Sequence, residues 1–279
     1  MGFESPIARQ YNNGMEILNN LPEDKYLEID DFLAFLGVYE DRKRLGAFER
    51  AMKKFRAKVV VEAGAGLGEL AEVLLRTLQP EKLYLVEDNR PAYEYLKRRF
   101  GGRSDVEVVK GLIEEWEAPR NVDLLVQEFY GPLLYDESLE ALSRLKFTPQ
   151  EVFPNRGFLR YQVIDLESLD EPVIDRNIWH IFDNVLVSDL FWYFEDYRPQ
   201  GTVLEWRYPE LLRYDVDLSG LQGDVLILAV EVWHDEKKLC DPASCLNWPF
   251  VFTPRLGDRF RLDFSYKDGF TEVFFQWTG

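Results

Sequence analysis

Glu62-Ala63-Gly64-Ala65-Gly66-Leu67-Gly68 joins one acid to three glycines at alternate positions, directly after the apolar run Val59-Val60-Val61. Glycine lets the backbone turn sharply and lets a ligand approach it closely. A dinucleotide fingerprint is spaced G-x-G-x-x-G, and its third glycine would fall where Glu69 stands. Glu62 also places negative charge where a pyrophosphate would lie, so a ligand carrying an amino group fits better than a phosphate. Glu87-Asp88 closes a second apolar run, with Glu87 25 residues after Glu62. In nucleotide-binding α/β units, an acid near this distance accepts hydrogen bonds from ribose hydroxyls. Further on, Glu128 and Glu137 flank the turn signal Gly131-Pro132, and such a loop can bring two carboxylates to face each other. Taken singly, Glu128 also reads as a solvated loop acid, and Glu137 as an acid facing the positive end of a helix.

These residues need a scaffold, and the hydrophobic pattern supplies one. Residues 1–30 are polar and weakly patterned. From Asp31 to about Arg56 the apolar spacing is helical (Phe32, Phe35, Leu36, Tyr39; Leu45, Phe48, Met52, Phe55). Strands are expected at Val59–Val61, Lys82–Val86, Val106–Val109 and Val122–Val126. Helices are expected over Glu69–Thr77 and Ala92–Phe100 and again after Glu137, where Leu139, Leu142 and Leu145 set the period. Alternating strand and helix predicts a parallel, doubly wound, Rossmann-like domain over 31–154, with its ligand outside the carboxyl ends of the strands. Phe153-Pro154-Asn155-Arg156-Gly157 marks a boundary. Beyond it, alternating runs at 158–164, 203–208, 225–233, 259–266 and 271–277 predict an antiparallel, β-barrel-like domain over 155–279. Within it, 178–197 is crowded with aromatic residues, more than one helical face can bury. These rings either serve a second buried surface or fill the barrel core.

Composition narrows the partners. The chain of 279 residues is 46% hydrophobic and carries a net charge of −17. Nucleic acid is an unsuitable partner for so acidic a chain, whereas a basic substrate would be attracted. No apolar run reaches membrane-spanning length, and MGFESPIARQ lacks a signal-peptide core, so the expected compartment is the cytosol and no membrane partner is expected. Cys240 and Cys245 are the only cysteines, and there are two histidines, which argues against a metal site. A local disulfide is disfavoured in a reducing compartment.

The glycine motif resembles the first motif of S-adenosylmethionine-dependent methyltransferases, and the wider set of motifs resembles the protein arginine methyltransferase family. Glu62 to Gly68 looks like that family's first motif, Glu87 like its ribose acid and Glu114 like its adenine-side acid. Asp41-Arg42-Lys43-Arg44-Leu45-Gly46-Ala47-Phe48 resembles its cofactor-covering helix, with Arg44 on the methionine carboxylate. Glu128 and Glu137 resemble its double-glutamate loop, and Leu246-Asn247-Trp248-Pro249-Phe250-Val251-Phe252 its Thr-His-Trp loop. The resemblance implies S-adenosylmethionine as cofactor, with Arg44, Glu62, Gly64, Gly66, Gly68, Glu87, Asp88 and Glu114 around it. It implies Glu128 and Glu137 as the catalytic clamp on an arginine guanidinium, Trp248, Asn247 and Tyr130 against the substrate, and a homodimer through an arm at 178–197. Asn247 stands where most members have histidine, Tyr130 and Leu139 where the asymmetric-dimethylating members have methionines, and Val38 where a methionine or phenylalanine helps set the product. Two other readings use the same residues: a methyltransferase acting on another amine or small guanidine, and a cofactor-binding regulatory module without turnover.

Overall fold

The computed structural model describes residues 22, 25, 29, 41–169, 176–189, 194–245, 250–267 and 270–278. Its first half is a five-stranded parallel sheet of β1 (Val59–Ala63), β2 (Lys82–Glu87), β3 (Val106–Lys110), β4 (Leu124–Gln127) and β5 (Glu151–Phe153), in the order β3-β2-β1-β4-β5. Val60, Val61, Leu83, Leu85, Leu124 and Leu125 are buried, as strands covered on both faces require. The strand order reverses between β1 and β4, which opens a crevice at their carboxyl ends.

The helices frame that crevice. Helix α1 (Arg42–Met52) starts where Asp41 Oδ1 accepts the Arg44 N–H at 3.0 Å, and it buries Leu45, Phe48 and Met52. Residues 31–40 of the expected longer helix, including Val38, lie outside the described residues. Helix α2 (Glu69–Leu78) springs from Gly68, whose φ of 81° only glycine adopts without strain. A Cβ there would also lie 2.5 Å from the Phe100 ring. Helix α3 (Arg90–Phe100) begins two residues before the expected start, because the Asn89 side chain caps Ala92 at 3.0 Å and Pro91 suits a first turn. After Glu137 the helical period yields only a 3₁₀ turn, Leu139–Ser143. The chain must reach β5 by Glu151, and Pro149 intervenes, so an α-helix has no room to propagate.

Past Phe153 the chain becomes antiparallel. Strands β6 (Arg156–Ile164), β7 (Val187–Asp189), β8 (Gly201–Arg207), β9 (Glu210–Arg213), β10 (Val225–His234) and β12 (Phe250–Pro254) pair in the order β7-β12-β10-β6-β8-β9, and β11 (Lys237–Cys240) pairs with β10. Among the described residues this is an open sheet of barrel-like content rather than a closed barrel. A separate hairpin, β13 (Phe260–Lys267) and β14 (Phe270–Trp277), ends the chain. The two halves share one core: Tyr130 from the parallel domain meets Trp206 edge-on at 5.7 Å, and Trp206 is fully buried. The aromatic segment divides. Trp179, Phe194 and Tyr197 join Phe250 and Phe252 in a second core, so these rings do fill the antiparallel domain. Ile181 nearby is 64% exposed, whereas Phe191 and Trp192 lie outside the described residues.

The cysteines depart from expectation. Cys240 and Cys245 form a disulfide, with Cα atoms 5.7 Å apart. The turn after β11 is the reason: Cys245 N–H donates to Asp241 O at 2.9 Å, and the Ser244 hydroxyl donates to Asp241 Oδ1 at 2.7 Å, which folds the second cysteine back onto the first. Among the described residues, no helix is long and apolar enough to cross a membrane, and no three His, Cys, Asp or Glu side chains are grouped to hold a metal.

Candidate functional site

Three acids converge at the carboxyl ends of three neighbouring strands. Glu62 lies within β1, Glu87 ends β2, and Glu128 follows the last residue of β4. Parallel register places them side by side: Glu62 pairs with Leu85 and Val126, two residues before Glu87 and Glu128 respectively. Glu62 is 3% exposed, and its pKa is pushed far up, first by burial and then by the charges of Glu128 and Glu87. Burial likewise raises Glu87 to about 7, although backbone N–H groups oppose it. Burial also raises Glu128, with Arg44 pulling the other way.

The cation among them is Arg44, 2% exposed and ion-paired to Glu128 Oε2. Arg44 and Glu128 were assigned by resemblance to cofactor and substrate; here they touch each other. Arg99 adds a second positive charge near Glu62, while itself holding Leu67 O at 2.7 Å and the Glu72 carboxylate at 2.6 Å. Glu62 Oε2 and Glu128 Oε1 are buried and accept no hydrogen bond from the described residues. Buried orphan acceptors on acids are costly, and a cationic or N–H-bearing ligand is what would satisfy them.

Beside the acids, the glycine loop is shaped by close approach. Gly64 (φ 64°) packs so tightly on Phe129 that a Cβ would meet the ring at 2.6 Å. Gly66 (φ 53°) donates its N–H to Glu87 Oε2 at 2.6 Å, and Asn89 N–H donates to Glu87 Oε1 at 2.8 Å. Both Glu87 oxygens are thus fixed by backbone, and each keeps a further lone pair for a ligand hydroxyl. A cavity of about 80 Å³, open to solvent, lies alongside, lined by Gly64, Asp88, Ile113, Glu114, Phe129 and Tyr266 among others. Burial raises the Asp88 pKa, and the Glu114 charge adds to it. Glycine cradle, Glu87 and this cavity suit a nucleoside, and the Glu62–Arg44–Glu128 end suits a zwitterionic, positively charged tail.

Glu137 lies in the loop that follows β4. Its Cγ would lie 3.0 Å from a Cβ at Gly131, and its backbone carbonyl accepts the Thr271 hydroxyl at 2.6 Å. Solvent reaches the residue, yet its carboxyl lies among crowded protein atoms, and this desolvation, with Asp136 adjacent, pushes it up to about 8. The charge that bears on it is Asp136, whereas those on Glu128 are Arg44 and Asp41. Tyr130 departs from the expected substrate-side position. It is buried in the interdomain core, where its hydroxyl accepts from Gln127 Nε2 at 3.0 Å and its ring meets Trp206. Asn247 and Trp248 lie outside the described residues.

Two contributors were not singled out from the sequence. Gln127, fully buried, holds Pro154 O at 2.9 Å and accepts the Phe129 N–H at 2.8 Å, which fixes the loop that carries Glu128. A polar residue ending a buried strand was its only signal. Tyr266 had none, since its cavity partner Glu114 is far away in the chain.

Fold and site together define a Rossmann-like domain with a carboxylate-rich cleft at the carboxyl ends of its strands. The family model of PRMT5 arginine-N-methyltransferase matches residues 38–151. The histone-arginine methyltransferase CARMER of Drosophila ananassae is 30% identical over 156 residues, 51% of this chain and 29% of its own; the Drosophila willistoni protein is 29% identical over the same shares. The chain thus spans less than a third of the length of these curated relatives. A PRMT6-SAH structure superposes with a TM-score of 0.63 at 14% identity, covering 88% of this chain and 99% of that one. A Trypanosoma brucei PRMT1 enzyme–prozyme heterotetrameric complex with AdoHcy gives 0.58 at 16%, covering 88% and 93%. At these identities the likeness is one of fold.

Folded-state values above the ordinary carboxyl range mean that the folded protein holds more protons than the unfolded chain between the ordinary value of 4.5 and about 8. The contribution of Glu87 and Glu137 to stability is therefore full below that window and lost as pH rises through it. Thermal unfolding followed by circular dichroism should show the fall in Tm from pH 5 to pH 8 flattened in a Glu87→Gln, Glu137→Gln variant. A pH dependence equal to that of the wild type would contradict the assigned shifts.

Proposed function

We propose that the protein binds S-adenosylmethionine and methylates guanidino nitrogens of arginine in basic protein or peptide substrates, and that it does so as a homodimer. The observation that carries the reading is the excess of buried acid over Arg44 at the strand ends. Glu62 and Glu128 are left with orphan oxygens beside a glycine cradle built for a nucleoside. The family match over 38–151 supports the same activity.

Arginine stays protonated, with a pKa above about 12, and its spread charge makes each nitrogen a poor nucleophile. When bound, the cofactor supplies an electrophilic methyl group on a positively charged sulfur. Two cations must therefore come into contact, and the chain's acids offset that repulsion. Glu128 grips one side of the guanidinium. Its contact with Arg44 fixes its rotamer and leaves Oε1 free to accept. Glu137 is held in its charged form beside the guanidinium, because an adjacent cation favours the charged form. Its loop brings it onto the substrate's other side, and the two carboxylates then draw positive charge from the attacking nitrogen. Asp41 and the ion pair on Glu128 hold Arg44 near the carboxylate of the cofactor's amino-acid end. The acidic surface draws in basic chains.

Radiolabelled methyl transfer onto Arg-rich peptides tests the reading. Glu137→Gln should bind S-adenosylhomocysteine like the wild type, Glu128→Gln should bind it more weakly because Arg44 loses its partner, and each should lose at least about a hundredfold in kcat/KM, roughly 2.7 kcal/mol of transition-state stabilisation. Near-native rates in both variants would remove the clamp from the account.

The dimer is supported by Ile181 and Val185, apolar yet exposed beside the aromatic segment. Ile181→Asp with Val185→Asp should convert a dimer to a monomer in light scattering. A wild type already monomeric at micromolar concentration would contradict the assembly.

A further inference from the structure

The cavity beside the glycine loop is built from strand ends and loops of the parallel domain, with one exception. Tyr266 reaches it from β13, in the terminal hairpin. The Tyr266 hydroxyl donates to Glu114 Oε1 at 2.8 Å. The Arg144 guanidinium lies 4.6 Å from the centre of the Tyr266 ring. The hairpin is also docked independently of Tyr266: Thr271 bonds the Glu137 carbonyl, and Phe264 meets Tyr135 edge-on at 5.8 Å. The charged groups that bear on the hydroxyl are Glu114, Arg144 and Glu140, and burial together with Glu114 holds its pKa up at about 12, so it remains a donor at any ordinary pH.

We infer that Tyr266 is a positioning residue for the adenine ring, acting through Glu114 to select a 6-amino purine. The inference rests on the cofactor reading above. A carboxylate is free to rotate and to be met from several sides. Occupying Oε1 with the Tyr266 hydroxyl fixes the plane of the Glu114 carboxylate and leaves Oε2 as the acceptor offered to the cavity. Adenine presents an exocyclic N–H donor to such an acceptor. Hypoxanthine presents a carbonyl oxygen at the same place and would set two acceptors against each other, which a site with a fixed acceptor penalises. A carboxylate released from Tyr266 can turn, and so tolerate the carbonyl. The device also ties the nucleoside pocket to the terminal hairpin, whose Thr271 touches the loop of Glu137, so the two ends of the site share one support.

Calorimetric titration of the full chain with S-adenosylhomocysteine and with its inosine counterpart tests this. Tyr266→Phe keeps the ring under Arg144 and removes only the donor. It should weaken the adenosine ligand about fivefold, the loss of one hydrogen bond's worth of positioning, while the inosine ligand stays the same or gains, so discrimination falls. In turnover the variant should raise the KM for S-adenosylmethionine with kcat little changed. Thr271→Val, which loosens the hairpin elsewhere, should leave the ratio of the two affinities at the wild-type value. Equal weakening of both ligands by Tyr266→Phe, or no change in either, would overturn the role of Tyr266 while leaving the cofactor reading standing. Binding of neither ligand by the wild type would overturn that reading and this inference with it.

Discussion

Three neighbouring carboxylates, two of them buried and the third half-buried, are the constraint from which the rest of the site follows. Glu62, Glu87 and Glu128 are neighbours because β2, β1 and β4 are neighbours, and parallel strands deliver their carboxyl ends to one edge. Buried like charges repel and are poorly solvated, so such a group retains protons or demands cations. Arg44 supplies one cation from α1, and its ion pair with Glu128 ties the covering helix to the sheet. The remaining deficit is a standing affinity for positive charge. A sulfonium and a guanidinium are two such charges that normally avoid each other.

The scaffold is arranged to keep those acids where they are. Gly64 and Gly68 accept backbone angles and close contacts that a side chain would forbid, Gly66 spends its N–H on Glu87, and Gln127 braces the segment that carries Glu128. Tyr130 and Trp206 then lock the antiparallel domain against the same segment. Stability and site geometry are thus carried by overlapping residues, and substitutions at the domain junction will reach the cleft.

Much of this could be read in the chain beforehand, where the signal was local. β1, β2, β3, β4, α2 and α3 follow apolar runs and turn residues within a few positions, and Glu62, Glu87 and Glu128 stand at strand ends that the same runs define. The antiparallel strands β6, β8, β10, β13 and β14 were equally legible from alternation, whereas β7, β9 and β11 are three or four residues long and leave too short a pattern. What escaped was settled by distant pairing. Tyr266 on Glu114 joins residues 152 apart in the chain. Tyr130 was placed near substrate by its neighbours in the chain, yet its ring is claimed by Trp206 from another domain. The Cys240–Cys245 bridge depends on a turn held by Asp241 and Ser244, which no argument from compartment could weigh. The 3₁₀ turn after Glu137 shows helical periodicity overruled by the distance left to β5.

If the proposed function holds, the buried acids Glu62 and Glu87, whose pKa values are raised in the free protein, give up protons when a cation binds. Calorimetry near pH 7 in buffers of different ionisation enthalpy counts those protons directly. S-adenosylmethionine, with its positive sulfur, should release more protons on binding than the neutral thioether S-adenosylhomocysteine, and the difference should shrink in Glu62→Gln. Equal proton counts for the two ligands, or none for either, would contradict the account.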